Sequence, residues 1–224
     1  MRTYEVELEG TYPLLMHWDN IEWADAMTKW KDTAQNKKYS RAGDDRTPAF
    51  RWIGAVYHDG EHVVAPSDNV SRCLLDGGAM VPVPGGRGGK TFKAQTQSGM
   101  RIQDPFCELS CNGKVIEWRK VWALREEADF EKHQAAATAL GFTLFVKRAR
   151  IGQQKHIRVR PRFDVWSVKF GMAVWDGQIT KEVLMQILEY GGVYKGLGDW
   201  RPSSPHSPGP YGTFKVVSLR DTSS

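Results

Sequence analysis

At 224 residues, with 41% hydrophobic and 25% charged side chains, the chain can bury a substantial core and is neither a disordered tail nor a fibrous repeat. A net charge of +5 permits an anionic partner. Three cysteines with no CxxC pair, and no second Cys/His pair beside Cys107 and Cys111, leave no zinc module and fit a reducing compartment.

From the start, Tyr4 to Gly10 alternates with period two and predicts a strand. Asn20 caps a predicted helix over Ile21 to Gln35, with Trp23, Met27 and Trp30 near one face, and Asn36 to Thr47 reads as a loop. Phe50 to Tyr57 and Glu61 to Ala65 read as strands around an Asp59-Gly60 turn. Ser67 is placed to cap a helix through Leu75, with Gly77 as a left-handed stop. Met80 to Met100 carries few large apolar residues and reads as an excursion from the core. Ile102 to Leu109 and Lys114 to Trp118 form a predicted strand pair around Asn112-Gly113, and Glu126 to Leu140 a helix. Phe142 to Val146, Gln154 to Phe163 and Asp164 to Val174 follow as strands. Thr180 caps a last helix with Val183, Leu184, Ile187 and Leu188 inward, and Tyr211 to Leu219 closes as a strand. The mixture predicts a single α+β domain over 1–224, with an antiparallel sheet and helices on one face. With no run of about 18 apolar residues and no apolar stretch in MRTYEVELEG, no membrane span and no cleaved signal are expected.

Residues 84 to 91, PGGRGGKT, invite comparison with a phosphate-binding loop. Pro84 stands where the first glycine belongs, two prolines spoil the preceding strand, and no apolar helical stripe follows. The stretch reads instead as a basic loop whose Arg87, Lys90 and Lys93 suit a nucleic-acid backbone. A second basic feature is stronger. From Lys132 to Phe163 there are eight Lys and Arg and no Asp or Glu. Within it IRVRPRF sends Arg158, Arg160 and Arg162 to one face of a strand, with Lys147, Arg148 and Arg150 upstream. Three adjacent like charges repel, and a polyanion across the strand would relieve them. Trp200, beside Arg201 and across a Pro/Ser loop from Tyr211, either stacks on bases or seals the last helix against the sheet. Asp44 and Asp45 are expected to pair with Arg41 and Arg46. His17 is the candidate general base for RNA cleavage, though the sequence itself marks no catalytic partner for it. No catalytic, metal or cofactor set is assigned.

Three stretches together resemble the CRISPR-associated RAMP proteins. Leu188 to Phe214 (LEYGGVYKGLGDWRPSSPHSPGPYGTF) is similar to their helix and glycine-rich loop before a last strand. His62 to Ser67 before a helix is similar to their strand-Pro-Ser-helix segment, and Val6 to Met16 to their opening strand. The resemblance implies a ferredoxin-like, RRM-like fold that binds RNA. It is closest in kind to the backbone subunit that polymerises along RNA, and it makes 80–100 the counterpart of a protruding, thumb-like hairpin. The loop between Trp200 and Tyr211 is Pro-rich and longer than the pattern, so the chain is more similar to a stand-alone, phage-carried member.

The expected function is non-catalytic binding of single-stranded RNA or DNA by several copies along the strand, in the cytoplasm of a prokaryotic or phage-infected cell. Two alternatives stand beside it: an RNA endonuclease using His17, and a viral mimic of a CRISPR subunit that binds effector proteins.

Overall fold

The computed structural model describes residues 1–33, 35–36, 41–86, 88–151, 154–205 and 207–223. In chain order the strands are β1 (Arg2–Gly10), β2 (Leu14–Leu15), β3 (Val64–Pro66), β4 (Met100–Ile102), β5 (Phe106–Cys111), β6 (Lys114–Val115), β7 (Thr143–Ile151), β8 (Gln154–Phe163), β9 (Trp166–Val174) and β10 (Phe214–Asp221). The helices are α1 (Ile21–Asp32), α2 (Ser67–Gly78), α3 (Lys93–Ser98), α4 (Trp118–Trp122), α5 (Phe130–Ala139) and α6 (Lys181–Tyr190). The class is α+β with antiparallel sheets. The chain divides into two compact units: a sheet unit of Met1–Leu14, Val64–Val115 and Val165–Ser224, and a hairpin unit of Leu15–Val63 and Ile116–Asp164. Among the described residues no helix is long and apolar enough to cross a membrane.

In the sheet unit, β1 alternates as its sequence dictates. Tyr4, Val6 and Leu8 are buried, while Glu5, Glu7 and Glu9 point the other way. The strand order is β10-β1-β9-β5-β3, with each neighbouring pair antiparallel. β4 and β5 follow one another along the same edge of β9, so the strand expected over Ile102 to Leu109 is interrupted between them. Asn112 and Gly113 both take positive φ and join β5 to β6, as an Asn-Gly hairpin turn requires. The open face of the sheet is a ladder of ion pairs. Glu7 faces Lys169 at 3.5 Å, Glu9 faces Lys215 at 2.9 Å and Glu5 faces Arg220 at 2.5 Å, each pair directly opposite across neighbouring strands.

Two helices close the buried side, and their ends differ from the sequence expectation. Pro66 takes the cap position of α2 and Ser67 is its first helical residue, without a side-chain cap bond. Gly77 is inside the helix. A Cβ there would stand 2.6 Å from the Ile187 carbonyl oxygen of α6, so this glycine serves close helix approach and not a left-handed stop. Thr180 caps α6 by accepting from the Val183 amide, and Leu184, Ile187 and Leu188 are buried as expected. Beyond α6 the chain makes a π-turn over Gly191–Lys195 and a glycine-rich loop. Leu197 N donates to Gly212 O at 2.9 Å and Gly212 N donates to Pro13 O at 2.8 Å, tying that loop to the exit of β1.

Within the stretch 80–100, expected as a protruding hairpin, an isolated bridge joins Pro82 to Thr91 and Val83 N donates to Lys90 O at 2.9 Å. Val81 and Phe92 are buried at its base. A six-residue helix, α3, does follow PGGRGGKT, contrary to the sequence reading, and β4 then enters the main sheet.

In the hairpin unit, β7 and β8 pair along their whole length, and Met16 N, just after β2, donates to Pro161 O of β8. Residues 49 to 55 form a 3-10 helix and not the expected strand. Ala49 is buried and so is the unbroken run Trp52, Ile53, Gly54, Ala55 and Val56, which is not the alternation of a strand with one exposed face. Trp52 packs on Phe142, which stacks on Phe163. Its Nε1–H donates to His133 Nδ1 at 3.1 Å, while His133 Nε2–H donates to the Glu127 carbonyl at 2.9 Å. Those two bonds fix one neutral tautomer of a fully buried imidazole.

Glycines 113 and 212 separate backbone strain from steric exclusion. Gly113 (φ 73°) has open space around it, whereas a Cβ on Gly212 (φ 70°) would stand 1.8 Å from Leu197 O. Gly113→Ala should cost roughly 1–2 kcal/mol, from the left-handed backbone alone. Gly212→Ala should cost upwards of about 3 kcal/mol. Urea midpoints of both variants measure this, and equal losses would refute the assignment.

Candidate nucleic-acid interface

β8 sets the candidate interface because it is amphipathic in an unusual sense. Val159, Pro161 and Phe163 are buried, and Arg158, Arg160 and Arg162 share the other face. Cross-strand register adds Lys147 opposite Arg158 and Phe145 opposite Arg160. Arg148, one residue out of phase, is exposed on the opposite face. The Arg162 guanidinium lies 5.7 Å from the Phe145 ring centroid and pairs with Asp164 at 2.6 Å.

The local repulsion expected of these arginines is relieved from within the chain. Asp45, 4% exposed, sits among them. Its carboxylate lies 3.2 Å from Arg158, 3.6 Å from Arg160 and 3.5 Å from Arg51. The loop carrying it is held on the strand: Asp45 N donates to Ile157 O at 3.0 Å, and Ile157 N donates to Gly43 O at 2.7 Å. Asp45 therefore pairs with Arg51, Arg158 and Arg160 rather than with the expected Arg41 and Arg46. Asp44 behaves as expected. Arg46 grips it with Nε at 3.0 Å and Nη2 at 2.7 Å, and this bidentate bond holds the Asp44 carboxyl below the usual range.

Between α1 and β8 lies a cleft of about 350 Å³. One face of α1 contributes Trp23, Met27 and Lys31 at helical spacing, and the 3-10 segment contributes Arg51 and Gly54. Its charged lining is four basic residues (Lys31, Arg51, Arg158, Arg160) against two acidic ones (Asp19, Asp45), with His17 and Trp18 also at the wall. Burial, and next the charge of Arg51, pull the Lys31 pKa below its ordinary value, as in a site with surplus positive charge. Gly54 is required here, because a Cβ would stand 1.9 Å from the Trp23 ring. That ring donates from Nε1 to the Arg51 carbonyl at 3.2 Å.

Aromatic rings run through the same unit. His58 stacks on Trp118 with centroids 3.8 Å apart, and meets the edge of Trp18 at 5.2 Å. Trp118 continues to Trp122 at 5.8 Å and Trp122 to Trp23 at 5.7 Å. Trp18 and Trp118 are half-buried, and Trp122, 39% exposed, lies under Arg125. The signal for this set was present in WRKVW, where two tryptophans flank Arg119 and Lys120 at helical spacing.

The remaining candidates lie in the sheet unit. Lys90 and Lys93 are exposed on the 82–91 loop and at the first turn of α3, and Arg87 lies outside the described residues. Trp200 is half-buried and stacks on Tyr211 at 5.6 Å and 17°, with Gly209 against its ring. Arg201 donates to Ser203 Oγ and to the Gly198 carbonyl, both at 2.9 Å, bracing the loop. This unit carries 13 Lys and Arg against 12 Asp and Glu, whereas the hairpin unit carries 18 against 14, so most of the excess charge resides in the latter. Among the described residues no group of three or more His, Cys, Asp or Glu is placed to hold a metal. Cys73 and Cys107 are buried thiols pushed up to about 12 by burial. No family model matches the chain, and no curated protein matches it.

Two predictions follow from this geometry. Asp45→Ala should destabilise the protein by roughly 2 kcal/mol. This is less than the ~3–5 kcal/mol for breaking a fully buried pair, because the arginines keep solvent contact. A thermal midpoint equal to that of the parent protein would refute the role. His58, with Nδ1 buried and no hydrogen-bond partner, has a pKa lowered by burial. As pH falls through about 6.5 the unfolded chain takes up a proton that the folded ring resists, so stability should drop there and recover above it. His58→Gln should flatten that slope in urea titrations between about pH 5 and 7.

Proposed function

We propose that the protein binds single-stranded RNA or DNA through the hairpin unit, without strong sequence preference. The observation that carries this is the convergence of Arg51, Arg158 and Arg160 on the single Asp45 carboxylate, in an open cleft that Lys31 also lines. Each guanidinium offers roughly five N–H donors, and a carboxylate has about four acceptor sites, so the set retains capacity for phosphate oxygens. Lys147 and Arg162 extend it along the hairpin, and the aromatic rings supply stacking surface. Lys90 and Lys93, with Arg87, form a second basic element, on the sheet unit. Trp200 and Arg201 act there as braces of the glycine-rich loop, while Arg148 adds charge on the far side of the hairpin.

Relationship to the RAMP proteins is part of the same proposal. The order β10-β1-β9-β5, with α2 between β1 and β5 and α6 between β9 and β10, supports a ferredoxin-like core in which the hairpin unit is inserted. The three stretches of resemblance fall on β1, on β3–α2, and on α6–β10. Copies aligned along one strand, in a prokaryotic or phage-infected cell, follow from that kinship. The open sheet face is not the proposed surface, because its charges are paired across strands. A second reading, RNA cleavage, is favoured by one observation: His17 lines the same cleft as the arginines. Loss of cleavage in His17→Ala would support it, and intact labelled RNA under tight binding would exclude it.

Salt titration tests the main reading. Affinity for a strand of ~30 nucleotides should fall steeply between about 50 and 200 mM salt, and Lys147→Ala with Arg162→Ala should lower the logarithmic slope by about two. No binding at the low end, or an unchanged slope, would overturn it.

A further inference from the structure

The geometry points to a seat for one nucleoside monophosphate unit in the cleft between α1 and β8, with its phosphate among Lys31, Arg51 and Arg158 and its base against Trp18. This rests on the nucleic-acid reading, because such a unit is the monomer of that polymer. The volume of about 350 Å³ lies at the small end of ligand pockets and suits one nucleotide, not a length of strand. The lining is also graded. Asn20 and Trp23 stand near the start of α1 and Lys31 near its end. Trp23 and Lys31 are eight residues apart, about 12 Å along the helix. One end is thus aromatic and polar, and the other cationic, which matches a base joined to a phosphate and not a bare anion.

Trp18 is held ready for that role. Its backbone amide donates to Ala55 O at 3.0 Å, and its ring stacks on Tyr57 at 5.6 Å and 25°. Tyr57 in turn donates its hydroxyl to the His17 carbonyl at 3.2 Å. A stacking ring fixed beforehand loses little freedom on binding. At the other end Arg51 and Arg158 both pair with Asp45, and burial, followed by the charge of Arg51, lowers the Lys31 pKa. A phosphate would restore charge balance and raise the lysine toward its ordinary value. Asn20 already accepts from the Trp23 amide through Oδ1, which leaves its side-chain NH₂ for a base edge.

The test is titration of the whole protein with adenosine 5′-monophosphate, followed by tryptophan fluorescence, with inorganic phosphate and adenosine as separate arms. The nucleotide should bind at least about tenfold more tightly than either part. Lys31→Met, which keeps the apolar stem, should weaken it by about tenfold. Trp18→Ala should do the same, with affinity largely restored in Trp18→Phe. Phosphate binding as tightly as the nucleotide would reduce the cleft to an anion site, and adenosine doing so would reduce it to an aromatic surface. Either result overturns the seat, as does an unaffected Lys31→Met variant. A strand of ~30 nucleotides run in parallel separates the two readings. Strand binding without nucleotide binding removes the seat alone, and nucleotide binding without strand binding removes the polymer reading alone.

Discussion

The hairpin unit depends on one carboxylate. β8 can present Arg158 and Arg160 side by side because Asp45 sits among them, delivered by a loop that is hydrogen-bonded to the strand at Ile157. Without that counter-charge the guanidinia would repel one another across a few ångströms in a partly desolvated site. One carboxylate does not neutralise three guanidinia, however. It makes the arrangement tolerable for folding. Under the proposed function, folding and binding would draw on the same residues, because the loop that completes the fold also sets how much positive charge faces an external anion.

The sheet unit handles charge differently. Glu5, Glu7 and Glu9 of β1 each meet a basic partner on an adjacent strand, so the exposed face is self-balanced. In four-stranded sheets that bind RNA by stacking, that face carries aromatic side chains. Here β1 offers Thr3 and three carboxylates on it, and the chain of rings Trp18, His58, Trp118, Trp122 and Trp23 lies in the other unit. The glycine-rich loop of the sheet unit is likewise consumed by its own packing, with Trp200 on Tyr211 and Arg201 on Gly198 and Ser203.

What could be read in the sequence was whatever repeats locally. The alternation of IRVRPRF and of YEVELEG placed two strands and their faces, Thr180 placed a helix start, and Asn112-Gly113 placed a turn. Long-range neutralisation left no trace: Asp45 lies 113 positions from Arg158, and a scan of the acid-free stretch 132–163 cannot see it. The 3-10 segment misled because Phe50 to Tyr57 is apolar enough for a strand. Its burial on more than one side, with Gly54 against Trp23 and Trp52 against Phe142, becomes visible only in the fold. Gly77 misled in the opposite way, since a glycine near a helix end suggests a terminator, and the real constraint is the backbone of a second helix. The cleft joins α1, the 3-10 segment and β8, three pieces of which only the last carried a basic pattern in the sequence.

The cross-strand ladder has a consequence for kinetics. A face whose charges cancel within a few ångströms projects almost no field beyond the Debye length of about 8 Å at physiological salt. The hairpin unit, with 18 basic residues against 14 acidic, supplies nearly all of the long-range attraction. Under the proposed function, a diffusing polyanion would be guided before any contact forms, with the self-balanced face of the sheet taking little part.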